Sequence, residues 1–459
     1  MTATTKAQVP LRRMGLFDLV AAGATFMAPA FSLAAIFPNI AQTGGSYAFV
    51  GVLLGALAAV LVALSFAEMS RHHLKAGGAY AIVGGEISPI AGFAAGWGLT
   101  ILYLLGPAIP LLLAVSSLAI IFPSLVGVLV PVTIAVALAV FVVNALGLKP
   151  STRIAFLFFV AEAAILVLIS AILFAHPAQP VPAVTGGLNI LNAVGYSAIF
   201  TVFLFLGFES VTTFSEEAEV PSRDVAKGTV YAIAIAAVIY IVSALALTRA
   251  VPQANWSLGF TGGLSTVLGP NWDLPLAIVI LTSSMGALIA VENTCARLFF
   301  AMGRDGMLPP QLSQLFGKGR APVVTLGVSA TVTAGFVVWS ESTTGPLAAP
   351  VGLVLNLLPS MLTLGALVAY FLVSLSALLR MRREGLSRNA LVPLGGVLVT
   401  GLLIGIQFDP ASILFSSSVL LGMVVWYGLG ALLLLASYFL SSKGPEATQA
   451  VPNVGRLPD

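Results

Sequence analysis

The charged residues of this chain stand in clusters, separated by apolar runs of about 18–28 residues, the length that crosses a bilayer as a helix. In hydrocarbon each backbone polar group must be satisfied internally, so such runs have few folds open to them. Only 8% of the 459 residues are charged and 59% are hydrophobic. A soluble domain carries about 25% charge. The expectation is an all-α polytopic membrane protein with about 12 transmembrane helices. The approximate spans are 16–41, 46–69, 90–121, 126–148, 152–175, 190–217, 225–250, 274–302, 323–339, 351–379, 391–406 and 413–440.

Orientation follows from the loops. With the N-terminus inside, nineteen of the 20 Lys and Arg residues fall on the cytoplasmic side, and only Arg249 lies outside. Both termini are therefore expected in the cytoplasm, and the cytoplasmic (inner) membrane is the expected location. Residues 1–15 read as a cytoplasmic segment, 16–440 as the transmembrane domain and 441–459 as a disordered tail rich in Pro, Gly and small polar types. Lys6, Arg12 and Arg13 precede a first run too long for a signal sequence, so that run reads as a retained helix. The segment between the seventh and eighth spans, with Trp256 and Trp272, reads as a modest outer loop.

Two spans carry internal breakers. The first contains "GATFMAPAFSL", with Gly23 and Pro29; the sixth contains "FLFLGFESVTTFSEE", with Gly207. Proline removes a helix hydrogen bond and clashes with the preceding turn. Broken helices at matching places in two halves point to the binding site of a secondary transporter, because freed N–H and C=O groups there face substrate and ions. Three acids, Glu162, Glu209 and Glu292, lie inside the fifth, sixth and eighth spans, with no Lys or Arg at comparable depth. A carboxylate at that depth is costly and marks an ion or substrate path. All three are read as ion- or proton-coupling candidates. Asn293 could bond unwound backbone, and Tyr103 could cover a ligand. Glu216, Glu217 and Glu219 stand at the inner end of the sixth span, as a solvated helix end or as a gate with Arg223.

The sequence gives little support to other chemistry. His72, His73 and His176 lie in loops without a metal-ligand pattern, and the one cysteine, Cys295, reads as a packing residue inside a span. "FGKGR" lacks the first Gly and the Ser/Thr of a phosphate loop. No cofactor, metal or nucleic acid is expected. A membrane enzyme ranks last, because no buried His or activated Cys accompanies the carboxylates. A non-transporting membrane sensor would normally bring a soluble domain.

Taken in order, several stretches resemble the amino acid–polyamine–organocation permeases. "FAEMSRHHLKAGGAYAIV" resembles the junction of their second and third spans. "FLFLGFESVTTFSEEAEVPSRDVAKG" is similar to their sixth span, with G-F-E followed by E-E and P-x-R-D. "NTCARLFFAMGRDGMLP" resembles their eighth span and the loop after it, and "GLKPSTR" fits the entry to the fifth. The resemblance implies a 5+5 inverted repeat with broken helices 1 and 6, plus two extra helices. It implies alternating access, proton-driven or by exchange, with substrate between spans one and six and beside three and eight. Carried over, Gly207, Phe208 and Glu209 match the sixth-span break, with Phe205 beside it as a further substrate-binding candidate, Glu162 the coupling position of span five, and Asn293 the approach of span eight. Where most amino acid carriers have Gly-(Ser/Ala)-Gly in span one, Ala28, Pro29 and Ala30 stand here. Proline offers no N–H to a substrate carboxylate. The expected function is a proton-coupled amino acid permease, with a polyamine or organic amine carrier as the alternative.

Overall fold

The computed structural model describes residues 14–179, 187–317, 321–344, 358–385, 390–408 and 416–440. The expectations for the N-terminal segment before Met14 and for the tail from 441 lie outside these residues, as does the start of the tenth span. The described chain is helical, with no strand among the described residues. Among the described residues, nine stretches are long and apolar enough to cross a membrane. The first, Leu16–Ser70, holds two spans, and two shorter apolar helices, Ile190–Leu204 and Val323–Trp339, bring the total to twelve. The outward faces are lipid-compatible: Leu398 and Leu402, and Leu421, Val424 and Val425, are all more than half exposed.

The first span is two helices, α1 (Leu16–Met27) and α2 (Pro29–Gly44), and the second is α3 (Ala48–Ser70). A short helix, α4 (Ala79–Glu86), leads to the third span. That span is itself interrupted, into α5 (Pro89–Leu104) and α6 (Ala108–Ile121). Spans four and five are α7 (Leu129–Ala145) and α8 (Leu148–Ala175). The sixth is α9 (Gly187–Leu204) followed, after a turn, by the single-turn α10 (Ser210–Thr213). The seventh is α11 (Pro221–Ala250). The loop after it is not plain loop: it contains α12 (Gly259–Leu268), and Trp256 is buried against Phe37 of α2. Spans eight to twelve are α13 (Asp273–Arg304), α14 (Val323–Thr344), α15 (Leu358–Arg383), α16 (Leu391–Phe408) and α17 (Ser417–Leu440).

Packing shows the repeat. α1 packs on α11, and α9 packs on α3; α8 packs on α13, and α15 on α5; α8 packs on α11, and α15 on α3. Each pair maps onto its fellow when spans one to five are exchanged for six to ten. Five spans is an odd number, so the second set enters the membrane from the opposite side. α16 and α17 add to the outside, against α15, α3 and α5.

One end of the bundle is basic and held by ion pairs. Asp18 meets Lys149 and Arg153, Glu86 meets His73, Arg380 and Arg383, and Glu216 meets Arg304 through both oxygens. Arg297, counted in the sequence with the loop-side bases, is 2% exposed and paired with Glu217. A buried base therefore lies on the same helix as Glu292. Its carboxylate partner, 80 positions away in the chain, is what makes that burial tolerable.

Candidate substrate site

Three backbone breaks surround the centre of the bundle. The first lies at Ala28, not at Gly23. Ala28 is left-handed at φ 39°, the one non-glycine with positive φ among the described residues. Proline disfavours the α region for the residue before it, which pushes Ala28 out of the helix, and Pro29 then opens α2 where no N–H is needed. Gly23 is an ordinary helical residue. It lets α1 approach its neighbours, since a Cβ there would sit 2.6 Å from Val211 Cγ2 and 2.9 Å from Ala232 Cβ. The expectation that Gly23 breaks the helix is thus corrected: it is a contact glycine.

The polar groups freed at Ala28 are taken up by side chains. Ala30 N–H donates to Glu162 Oε2 at 3.1 Å, and Phe31 N–H donates to Ser283 Oγ at 2.8 Å. Met27 C=O accepts from Ser32 Oγ and Tyr240 OH, each at 2.7 Å. The anion-favouring start of α2 therefore already holds a carboxylate, that of Glu162.

The second break is at Gly207, with φ 117°. A Cβ at Gly207 would run into the Phe26 ring, so the two broken spans touch at this point. Gly207 N–H donates to Glu209 Oε2 at 2.9 Å. The same oxygen accepts from Tyr370 OH at 2.6 Å, and Oε1 accepts from Tyr103 OH at 2.9 Å. Glu209 thus ties spans three, six and ten together. Phe208 packs on Tyr370 and Phe66, and Phe205 meets Tyr240 edge-on.

The third break, Leu105 to Pro107, went unread in the sequence, although Gly106-Pro107 is a helix-breaking pair and the 33-residue stretch Pro89–Ile121 exceeds what one crossing needs. Between the breaks lies a small cavity. Phe26, Phe31 and Ser32 line it from span one, Gly106 and Ile109 from span three, Phe203 and Leu206 from span six, Val291 from span eight and Leu362 from span ten. Among the described residues, Ser32 is the only lining side chain with a polar group, and its hydroxyl is already bonded. None of the expected site residues Ala28, Pro29, Ala30, Tyr103, Phe205, Gly207, Phe208 and Glu209 is among the residues lining this cavity; Phe205 and Phe208 line a separate small pocket with Tyr370, Val62 and Leu403.

Glu292 and Asn293 are placed elsewhere. Asn144 Nδ2 on α7 donates to Glu292 Oε2 at 3.2 Å. Asn293 Nδ2 bonds Asn144 Oδ1, Ser151 Oγ and Ile289 C=O at 2.8–3.0 Å. This cluster joins α7, α8 and α13 rather than the broken helices. No group of His, Cys, Asp and Glu among the described residues could hold a metal ion.

Residues 26–408 match the profile of a family described as amino acid permease. The chain is 25% identical, over 88% of each sequence, to a branched-chain amino acid permease of Bacillus subtilis (strain 168). It is 24% identical, over 96% of each, to the methylthioribose transporter of the same organism. It is also 24% identical, over 96% of each, to a low-affinity putrescine importer of Escherichia coli (strain K12). With the twelve-span fold, the breaks in spans one and six and a profile that covers most of its length, the chain belongs to the amino acid permease family and is a membrane transporter, not an enzyme.

Proposed function

We propose that this protein carries amino acids with apolar side chains across the cytoplasmic membrane by alternating access, driven by protons, with its basic end and both termini in the cytoplasm. The observation that carries the substrate class is the lining of the central cavity, apolar but for one bonded serine hydroxyl. An aliphatic side chain gains by leaving water for such a surface, whereas a second ammonium would find no free carboxylate there. Glu209, the nearest acid to the break, already accepts three hydrogen bonds.

Glu209 is also the group through which a proton would act. As a carboxylate it accepts from tyrosines of spans three and ten at once. Protonation removes part of that accepting capacity and loosens one tyrosine. Substrate arriving beside Gly207 and a proton arriving on Glu209 would then bias the same junction, which is the differential interaction that coupling requires. Glu162 would act at the other break, where its carboxylate covers Ala30 N–H.

One observation favours the amine alternative. Pro29 has no N–H, and the next two N–H groups are taken by Glu162 and Ser283, so a substrate carboxylate must displace one of them. Uptake into proteoliposomes decides between the two. Labelled leucine should accumulate under an inside-alkaline pH gradient and compete poorly with putrescine, and Glu209→Gln should lose gradient-driven accumulation. Accumulation of putrescine with no leucine uptake would overturn the substrate class. Leucine uptake that ignores both the gradient and Glu209→Gln would overturn proton coupling.

A further inference from the structure

The last span, α17, exposes Leu421, Val424, Val425 and Leu432 on its outward face, yet it is fastened to α5 by a reciprocal clasp. Trp97 Nε1–H donates to Trp426 C=O at 2.8 Å, and Trp426 Nε1–H donates to Trp97 C=O at 3.0 Å. The two indoles stack with centroids 5.0 Å apart, and Phe93 stacks on Trp97. One turn further along α17, Gly430 leaves room for the Trp97 ring, which a Cβ there would strike. An indole N–H in an apolar setting needs an acceptor, and here each finds one on the other span.

The clasp borders a second close approach. α5 and α15 meet backbone to backbone at Gly98 and Gly365, as small residues allow. A Cβ on Gly98 would lie 2.7 Å from the Gly365 carbonyl oxygen, and one on Gly365 would lie 2.5 Å from that of Gly98. The Gly98 Cβ would also come within 2.6 Å of the Tyr427 hydroxyl, so α17 closes over this contact. That hydroxyl is buried with no hydrogen-bond partner, which leaves packing as what it contributes.

Both tyrosines that hold Glu209 hang from the two spans in contact. Tyr103 lies five residues beyond Gly98, in the last turn of α5 beside the break. Tyr370 lies five residues beyond Gly365 on α15. A shift of α5 against α15 therefore changes the separation of the two hydroxyls that reach Glu209 Oε1 and Oε2.

We infer that Trp97, Trp426 and Tyr427 are positioning residues: α17 clamps α5 on α15 and so sets the junction of Tyr103, Glu209 and Tyr370 and its response to protons. The clamp reaches the carboxyl only through the two tyrosines. This role rests on the proton coupling assigned to Glu209 above.

Infrared titration of the purified protein tests it, reading the carboxyl C=O band that is lost in Glu209→Gln. A hydrogen bond to a carboxylate favours its charged form, so Tyr103→Phe should move the midpoint of that band by about one pH unit. Trp426→Phe removes one N–H and keeps an aromatic ring. It should move the midpoint in the same direction by about half as much, and should add less to Tyr103→Phe than it does alone. Trp97→Phe, which removes the other N–H, should act alike. Tyr427→Phe sheds only an unbonded hydroxyl, keeps the fold, and should move the midpoint the same way. A role confined to stability would change Tm in these three variants and leave the midpoint where it stands in the intact chain. That result, with Tyr103→Phe displaced, would overturn the clamp alone. A midpoint unmoved by Tyr103→Phe, or no titrating band that is lost in Glu209→Gln, would overturn the Glu209 reading and the clamp together.

Discussion

Gly207 is a single residue on which both broken spans depend. Its φ of 117° lies where side chains rarely go, and the space beside its Cα is filled by the Phe26 ring. Gly207→Ala should therefore combine backbone strain with displacement of Phe26, losing uptake and well-folded protein alike. Size-exclusion chromatography of the variant, alongside leucine uptake, checks this; an active variant with an unchanged profile would contradict it. This glycine and Glu209 were legible in the sequence, because a breaker and an acid inside an apolar run are rare enough to stand out. Tyr370 was not. It lies 161 positions from Glu209, and an aromatic in a span is ordinary packing until a partner is known. The burial of Arg297 was not legible for the same reason, since only the fold brings Glu217 against it.

At the scale of the element, the break in the first span shows how a local rule and a tertiary contact divide the work. Proline sets the position, and Glu162, Ser283 and Tyr240 from three other spans make the freed backbone groups tolerable. The sequence marked Pro29 correctly and misread Gly23, because a glycine that ends a helix and one that lets two helices touch look alike in a linear chain. Ala28 carries the strain. A left-handed alanine costs roughly 1–2 kcal/mol, and glycine relieves that while adding some freedom to the unfolded chain. Ala28→Gly should thus raise stability by about 0.5–1 kcal/mol, read as a small increase in Tm of the detergent-solubilised protein. A lowered Tm would mean that the strain at Ala28 is absent. The third-span break reads the other way. Gly106-Pro107 was visible, but inside a long apolar run it was absorbed into one helix, and the structure shows the two helices that it separates.

Over the whole molecule, the twelve spans and their basic end were legible from charge spacing, because lipid leaves an apolar run little choice. The pairing across the basic end was not, since it joins segments hundreds of positions apart. One such pairing carries a pH dependence. Glu86, at the end of α4, accepts from His73 Nε2 at 2.9 Å and from Arg380 of α15 at 2.8 Å, with Arg383 at 3.5 Å from its other oxygen. It thereby fastens the loop after the second span to the tenth. The imidazole fits because its neighbour is Gly85, where a Cβ would come within 2.7 Å of His73 Cε1. Burial lowers the His73 pKa from its usual 6.5; the Glu86 hydrogen bond and charge oppose that shift, and Arg380 and His72 add to it. Burial alone would raise Glu86, but the hydrogen bonds from His73 and Arg380 outweigh it and hold the carboxyl below 4.5. Near neutral pH the latch is therefore a neutral imidazole donating to a carboxylate. With its folded pKa below the unfolded value, His73 binds fewer protons folded than unfolded as pH falls through about 6.5, so stability falls with it. The Glu86 contribution is lost only at lower pH, below its own unfolded value. His73→Gln keeps a donor for Glu86 and removes the titration. Tm of the purified protein should fall on acidification from about pH 7 to about pH 5.5, and that fall should be shallower in His73→Gln. Equal slopes in the two proteins would show that His73 does not titrate against folding in this range and that other groups set the acid response.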